Sequence, residues 1–520
     1  MNMQNESISD EKKPQEAAPR EDYRAEAIPH DRSWRAILNR APFRLVALVL
    51  LLTVGPLLTT LSPLTALLNG DIFSHLRSGA WIIQAHAVPR TGLFSQYSDR
   101  CWVDCSWGFD VVAAGVYKLL GLRGFAALLM AFRLALAGVT FLVAGGRRRC
   151  FWCAVALSAI AQYVLTDLAL RPSLFSLLLF GILLHLLIES RRSFTPRLLL
   201  LLPPLFLVWA NLDAQFLNGL LLLAVYVVAE IADGLFRIPV APANSMPKVV
   251  GIAALCVFAT FLTPYTFRLS SGAFENAYGK VLYENFQEMQ AMAFRRPQDF
   301  ALLLLVMGAF LALGRQQSRD LFKIGTLGVF IVLAFRLQRD GWCVVLPSVA
   351  VIGDAVAEWR WKSEEQTAND PWKWETPVAV VLVLVVLVVA IVRLPNDTAL
   401  IKQAERAFPV KACDYIRANQ LPGPIFNTYY WGGFLTWYLP EYPVSIDSRL
   451  NLYGDEITDR YFKVSTGNQR LETDPSFTGA RIILLERSSG MLKALTTLPA
   501  LKDQFHVAYQ DNVASVLVRQ

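Results

Sequence analysis

The sequence is short of charge. Only 18% of its 520 residues are Asp, Glu, Lys or Arg, where a soluble domain carries about a quarter, so a single globular fold in water is excluded. Seven cysteines in 520 residues are too few for a disulfide-built secreted scaffold. No Walker A loop, no GxGxxG and no HExxH occurs, which leaves nucleotide hydrolysis, dinucleotide binding and zinc proteolysis without local support. What is present is apolar: 54% of residues are hydrophobic and the mean hydropathy is +0.39. These residues collect in runs such as 45–58, 198–210 and 378–392, for which a membrane is the natural solvent. That also excludes a disordered chain.

The formal charge is +7. The polar tail, residues 1–41, is net −1 and residues 396–520 are neutral, which leaves +8 on the apolar middle. Basic charge beside apolar spans is a topology signal before it is a nucleic-acid signal, so no nucleic-acid partner is expected.

A helix needs roughly 20 apolar residues to cross the hydrocarbon. Eleven spans are predicted, near residues 43–66, 124–145, 150–168, 172–189, 198–212, 216–233, 248–265, 299–314, 321–337, 341–358 and 376–394. Alternate connections hold fourteen basic residues: Arg147, Arg148, Arg149, Arg191, Arg192, Arg197, Arg237, Lys248, Arg315, Arg319, Lys323, Arg360, Lys362 and Lys373. The three short opposite connections hold three, Arg171, Arg336 and Arg339. The positive-inside rule puts the basic set and the N-terminus in the cytoplasm, and an odd span count puts the C-terminal segment outside. The first run is too long and too deep for a cleaved signal peptide and reads as a retained anchor. The tail before it has a disordered composition.

The expected organisation is a tail (1–41), a membrane domain (42–395) with outer loops at 67–123 and 266–298, and an extracytoplasmic α/β domain (396–520). Residues 109–122 are apolar on one side and suit the membrane surface. In the last segment, β-rich runs at 424–429, 444–447, 482–485, 506–509 and 515–518 alternate with amphipathic stretches at 410–418, 455–465 and 491–497. The fold class is a polytopic α-helical membrane protein with a C-terminal extracytoplasmic α/β domain. Cys101 and Cys105, in the first outer loop, are either a disulfide or two free thiols; Cys150 and Cys153 lack further metal-ligand neighbours.

Polar residues gather at the outer ends of the spans: Asp71, His75, Asp104, Asp110, Asp167, Arg171, Asn211, Asp213, Gln215, Tyr265, Arg336, Arg339 and Asp340. Ionisable groups beside apolar helices are costly unless paired or hydrated, so a one-sided cluster points to a wet cavity; for any one member, an interfacial cap or salt bridge is the simpler account. Asp71 has His75 four residues on, on the same helical face.

The stretches DIFSHL (71–76), RPSLF (171–175), WANLD (209–213), TPY (263–265), FNTYYWGGF (426–434) and IDSR (446–449), in this order along a chain of this layout, resemble the GT-C glycosyltransferases. Over residues 43–460 the chain is similar to an uncharacterised bacterial branch of that superfamily. The resemblance implies a GT-C-like fold of about 11 transmembrane helices in the bacterial inner membrane. It also implies transfer of a sugar from a polyprenyl-phosphate carrier to an envelope glycan, lipid or protein acceptor on the outer face. The family's acidic residue at the start of the first outer loop, base or metal ligand, corresponds to Asp71. The chain departs from the family in two places: Asp71 is flanked by Gly70 and Ile72 and not by a second acid, and Asp213-Ala214-Gln215 stands where His-Gly-Gly is frequent. The WGG of residues 431–433 is similar to the WWDYG element of oligosaccharyltransferases but has Gly432 in place of its Asp, so peptide-acceptor recognition is not supported.

Inverting transfer needs a base for the acceptor hydroxyl and cations for the departing phosphate. Asp71 is the expected base or metal-ligating carboxylate, with Asp104 as second catalytic candidate. Arg336 and Arg339 suit phosphate through their fork geometry, or else snorkel to the interface, and Arg171 assists. His75, Arg171, Asn211, Asp213 and Tyr265 complete the substrate-binding set. Asp71 and His75 are the candidate ligands for Mg2+ or Mn2+. Residues 447–455 either hold acceptor or brace the outer domain. Two other classes stay open: a transporter or flippase of a lipid-linked substrate, and a non-catalytic envelope-polysaccharide assembly protein that kept the fold.

Overall fold

The computed structural model describes residues 41–61, 70–146, 151–166, 169–193, 196–236, 246–278, 280–361 and 372–520. The tail to residue 40, Cys150, Asp167 and the basic residues Arg147, Arg148, Arg149, Arg237 and Lys362 lie outside them.

Every apolar run named above contains a helix: Ala41–Leu61, Arg123–Val143, Phe151–Val164, Ser173–Ser193, Leu202–Leu212, Phe216–Leu235, Met246–Ala259, Pro297–Gln316, Leu321–Arg336, Trp342–Trp361 and Trp372–Val392. Six helices, Pro42–Thr60, Arg123–Val143, Ser173–Arg192, Phe216–Leu235, Pro297–Gln316 and Gln338–Glu358, are long and apolar enough to cross a membrane. A seventh, Pro377–Val392, bends by 68° into Asp397–Ala404. Phe151–Val164, Arg197–Leu212 and Met246–Ala259 are apolar but shorter, so among the described residues length and composition give six or seven candidate crossings, against the eleven expected. The outward faces match a lipid solvent: Val46, Leu50, Val54, Leu57 and Leu58 on the first helix are exposed, as are Val380, Val381, Leu384, Val385 and Val388 on the last. Water would not tolerate apolar patches of that extent.

The ends opposite residues 396–520, termed the outer domain after the side expected for them, differ from the plain basic flanks expected. Arg191, 7% exposed, reaches Glu230 and Asp233 at 2.6 Å each and Asp320 at 3.4 Å. Arg192 pairs with Asp354, which Lys323 also meets at 3.1 Å. These cations tie four helices together through acids at and near the helix ends, a partnership that counting Lys and Arg ignores.

The outer domain carries a four-stranded sheet, β1 (Ile425–Asn427), β2 (Ile482–Glu486), β3 (Phe505–Gln510) and β4 (Ala514–Arg519), in the order β1-β2-β4-β3. β1 is parallel to β2, and β4 is antiparallel to both β2 and β3. A parallel pair needs a crossover, and helices Gly432–Tyr438 and Leu450–Ser465 lie within it. Residues 444–447, expected as a strand, form none. Val444 makes one isolated bridge to Ser95, and side chains take the place of a ladder. Asn427 Nδ2 donates to the Ile446 carbonyl and Asn427 Oδ1 accepts from the Ser445 amide, both at 2.9 Å.

One core is shared by the helices Asp71–Ala85, Trp107–Leu120 and Arg123–Val143 and the outer domain, through Phe73, Phe109, Phe125, Trp431, Phe434, Ile482 and Val516. The apolar side of residues 109–122 is therefore turned into protein: Phe109, Ala113 and Ala114 are buried, and Leu119 is left exposed. No disulfide joins Cys101 and Cys105.

Candidate functional site

Asp71 opens the helix Asp71–Ala85, where the dipole favours negative charge. Glycines fix the position of this end. A Cβ on Gly433 would lie 2.4 Å from the Gly70 carbonyl oxygen and 2.7 Å from Ser74 Oγ, and one on Gly70 would lie 2.7 Å from the Tyr430 carbonyl oxygen. The WGG stretch thus lets the outer domain pack backbone to backbone against the turn that presents Asp71. Further along, Gly79 leaves no room for a Cβ against the Asp110 backbone.

Arg171, ahead of the helix Ser173–Ser193, lies between two acids. Its Nε is 3.6 Å from Asp71 Oδ2, and its Nη1 donates to Glu288 Oε2 at 2.6 Å. Burial works against its charge, but Asp71 and Glu288 more than offset that.

Asp71 and Arg171 line a cavity of about 1070 Å³ together with Asp213, Glu288, Arg296, Arg336, Arg339, Asp340, Tyr429 and Tyr430. Leu217, Leu220, Leu221, Leu333 and Leu337 form an apolar wall of the same cavity. Among the described residues Arg336 makes no ion pair, and its side chain is exposed. Arg339 Nε stands 3.7 Å from Asp340 Oδ1, which also accepts from Gln215 Nε2 at 3.1 Å. Asp213 follows the helix Leu202–Leu212 and accepts a hydrogen bond from Ser176, whose hydroxyl accepts in turn from Trp209 Nε1 at 2.7 Å. Burial pushes Asp213 up to about 6, with the Ser176 hydrogen bond and Arg339 opposing.

A second chamber, of about 170 Å³, adjoins the first at Asp71, Arg171, Pro172 and Ser448 and is also lined by Ser74, His75, Asp104, Asp110, Arg449 and Asn451. His75 Nδ1 bonds Asp110 Oδ1 at 2.7 Å. Burial lowers His75 below its ordinary range, against the pull of Asp104 and Asp71. Asp104 Oδ1 accepts from the Ser106 amide at 3.1 Å. Burial and then the Asp110 carboxyl hold Asp104 well above the usual carboxylate range, and burial raises Asp110 as well. Arg449, buried, chelates Asp447 and donates to the Leu93 carbonyl at 2.7 Å, and Asn451 Nδ2 donates to the Val103 carbonyl at 2.6 Å. Residues 447–451 therefore brace the outer domain on the first outer loop while forming one wall of the chamber.

Asp71, Arg171, Asp213, Arg336 and Arg339 thus converge on one cavity, and Asp71, His75, Asp104 and Arg171 on its neighbour. Asn211 and Tyr265 line neither. Asn211 accepts from Trp107 Nε1 and donates to the Leu207 carbonyl, and Tyr265 donates to the Pro89 carbonyl at 2.6 Å; both polar ends serve in packing. Glu288, Tyr429, Tyr430 and Ser448 were missed as site residues. The Tyr pair and Ser448 lie inside the FNTYYWGGF and IDSR stretches, which was the available signal. The expected divalent ion fits poorly. Among the described residues no group of three His, Cys, Asp or Glu is placed to hold a metal, His75 Nδ1 is committed to Asp110, and Asp71 faces Arg171.

No protein-family model matches the chain, and no curated protein matches it either. Among solved structures it is similar to the crystal structure of ArnT from Cupriavidus metallidurans in the apo state, at 15% identity and a TM-score of 0.41, over 89% of this chain and 96% of that one. At that identity and score, neither activity nor substrate follows from the likeness.

Proposed function

We propose that this chain is an integral membrane glycosyltransferase of the GT-C kind, moving a sugar from a polyprenyl-phosphate carrier to an envelope glycan, lipid or protein acceptor. The proposed setting is the bacterial inner membrane, with the N-terminus cytoplasmic and the site on the outer face. The observation that carries the reading is the position of Asp71: a carboxylate at a helix start, where a polar chamber meets a large cavity that pairs arginines with an apolar wall. A lipid phosphate has those two needs, cations for the head and leucines for the chain.

In the proposed reaction Asp71 takes the proton of the acceptor hydroxyl as its oxygen attacks the anomeric carbon. The bond from that carbon to the phosphate oxygen breaks, and its electron pair leaves with the carrier phosphate. Arg336, which makes no ion pair among the described residues, with Arg339 and Arg171, stabilises the charge that develops there. Asp104, held well above the usual carboxylate range by burial and by Asp110, serves the chamber wall. His75, held by Asp110, orients the face beside Asp71. No step is routed through a metal.

The test is Asp71→Asn in the full chain, reconstituted with envelope extract, with lipid-linked sugars and glycans followed by mass spectrometry. Transfer falls by roughly 10²–10⁴-fold with insertion and thermal stability retained. Full transfer by the variant would remove Asp71 from the mechanism.

A further inference from the structure

We propose that Glu288 makes the large cavity selective for charge: it tolerates the singly charged phosphodiester of a sugar-bearing carrier and works against the more highly charged phosphomonoester left after transfer. The inference rests on the glycosyltransferase reading and deepens it. The four arginines that line the large cavity face four acids, Glu288 among them. A purely cationic basin holds the most charged phosphate most tightly; a balanced lining gives a second negative charge no such advantage. A phosphodiester carries one charge, whereas a phosphomonoester carries roughly −1.5 to −2 at pH 7. The carrier with its sugar is the first kind and the bare carrier the second, so the balance of this lining separates substrate from product.

Among those acids Glu288 is the one bonded to the guanidinium beside Asp71. Its Oε2 accepts from Arg171 Nη1 at 2.6 Å, and its side chain is 42% exposed, so it has water to swing into. Arg171 Nε is buried without a hydrogen-bond partner, 3.6 Å from Asp71 Oδ2. The fork is thus shared by two carboxylates and hydrogen-bonded by one. The backbone behind Glu288 is held. The Phe286 ring packs 5.3 Å from Tyr429 and 5.4 Å from Phe462, Met289 is buried, and the Gln290 carbonyl accepts from the Gln338 amide at 2.9 Å. A phosphate oxygen arriving at Arg171 therefore has only a side chain to displace, and the displaced carboxylate stays beside it. Repulsion between the two grows with the charge on the phosphate. Once the sugar has left, the carrier phosphate gains charge, and Glu288 is the group in place to retake Arg171.

The experiment measures binding of undecaprenyl phosphate and of its methyl diester to the full chain in lipid nanodiscs, by native mass spectrometry at pH 7. The two probes share the lipid, lack a sugar and differ in charge. Wild type binds the monoester no more tightly than the diester. Glu288→Gln keeps the shape and removes the charge; with one charge worth about threefold, as for partly exposed pairs, the diester gains about threefold and the monoester about tenfold. Freeing the Arg171 fork helps both lipids alike, so the excess gain of the monoester reports charge, and a merely structural role for Glu288 would not move it. Glu288→Ala shows the same excess, and diester binding by each variant reports that it folds. Should neither variant fold, the wild-type preference decides alone. Equal gains for the two lipids, or no gain, would overturn the selectivity, as would a wild type that prefers the monoester; each of these leaves the glycosyltransferase reading standing. A wild type that binds neither probe overturns both.

Discussion

Replacing Asp213 by Asn separates burial from charge at a single carboxyl. Asp213 is 8% exposed and its pKa is pushed from 3.8 to about 6, chiefly by burial. Between those values the folded chain binds the proton and the unfolded chain does not, so stability falls as pH rises through that window. At about 1.4 kcal/mol per pKa unit the loss is about 3 kcal/mol by pH 7. Asn keeps an oxygen to accept from Ser176 and carries no charge to desolvate. Wild type and Asp213→Asn therefore unfold alike near pH 4, and the variant becomes progressively more stable relative to wild type up to pH 7. Tryptophan fluorescence during thermal unfolding of the detergent-solubilised chain, at half-unit steps of pH, follows the difference. A gap of the same size at pH 4 and pH 7 would refute the argument, because only the ionised form bears the cost. Carrier binding measured alongside shows whether the protonated acid is what the large cavity presents.

Arg336→Ala should raise the Kd for polyprenyl phosphate roughly ten- to a hundredfold, the worth of a charge-assisted hydrogen bond or two; an unchanged Kd would remove Arg336 from phosphate binding. Gly433→Ala forces a methyl to within 2.4 Å of the Gly70 carbonyl oxygen and should cost about 1–3 kcal/mol, read as a lower unfolding temperature with a further loss of transfer as Asp71 moves. Arg191→Ala leaves Glu230, Asp233 and Asp320 facing one another and should destabilise by about 3–5 kcal/mol. A thermal inactivation profile matching wild type would show that this buried cluster contributes nothing.

The helical segments were legible because lipid and protein interior both demand apolar side chains, and long runs of Leu and Val leave few alternatives. Whether each helix crosses a membrane was not, since Arg197–Leu212 and Met246–Ala259 are apolar like the candidate spans but shorter. Asp71, Arg171, Asp213, Arg336 and Arg339 were legible as a group because ionisable residues at helix ends need water or partners. Which partner each would find was not. Arg171 meets Glu288 across 117 positions and His75 meets Asp110 across 35, separations that no local spacing encodes. Asn211 and Tyr265 line neither cavity for the same reason: polar residues at helix ends also serve neighbouring groups in packing, and only the fold decides which. The alternation in residues 444–447 suggested a strand, where the burial of Ser445, Ile446 and Asp447 serves the side-chain hydrogen bonds of Asn427.

The wall supplied by Ser448, Arg449 and Asn451 also bears on biogenesis. Arg449 grips Leu93 across 356 positions, so the pocket beside Asp71 lacks one side until residues 448–451 have left the ribosome. A nascent chain paused with every apolar helix already synthesised would hold Asp71, His75 and Arg171 and still present an open trough to solvent. The closed chamber would then arrive only with residues 448–451, and a stop codon shortly before residue 448 would yield a protein without it.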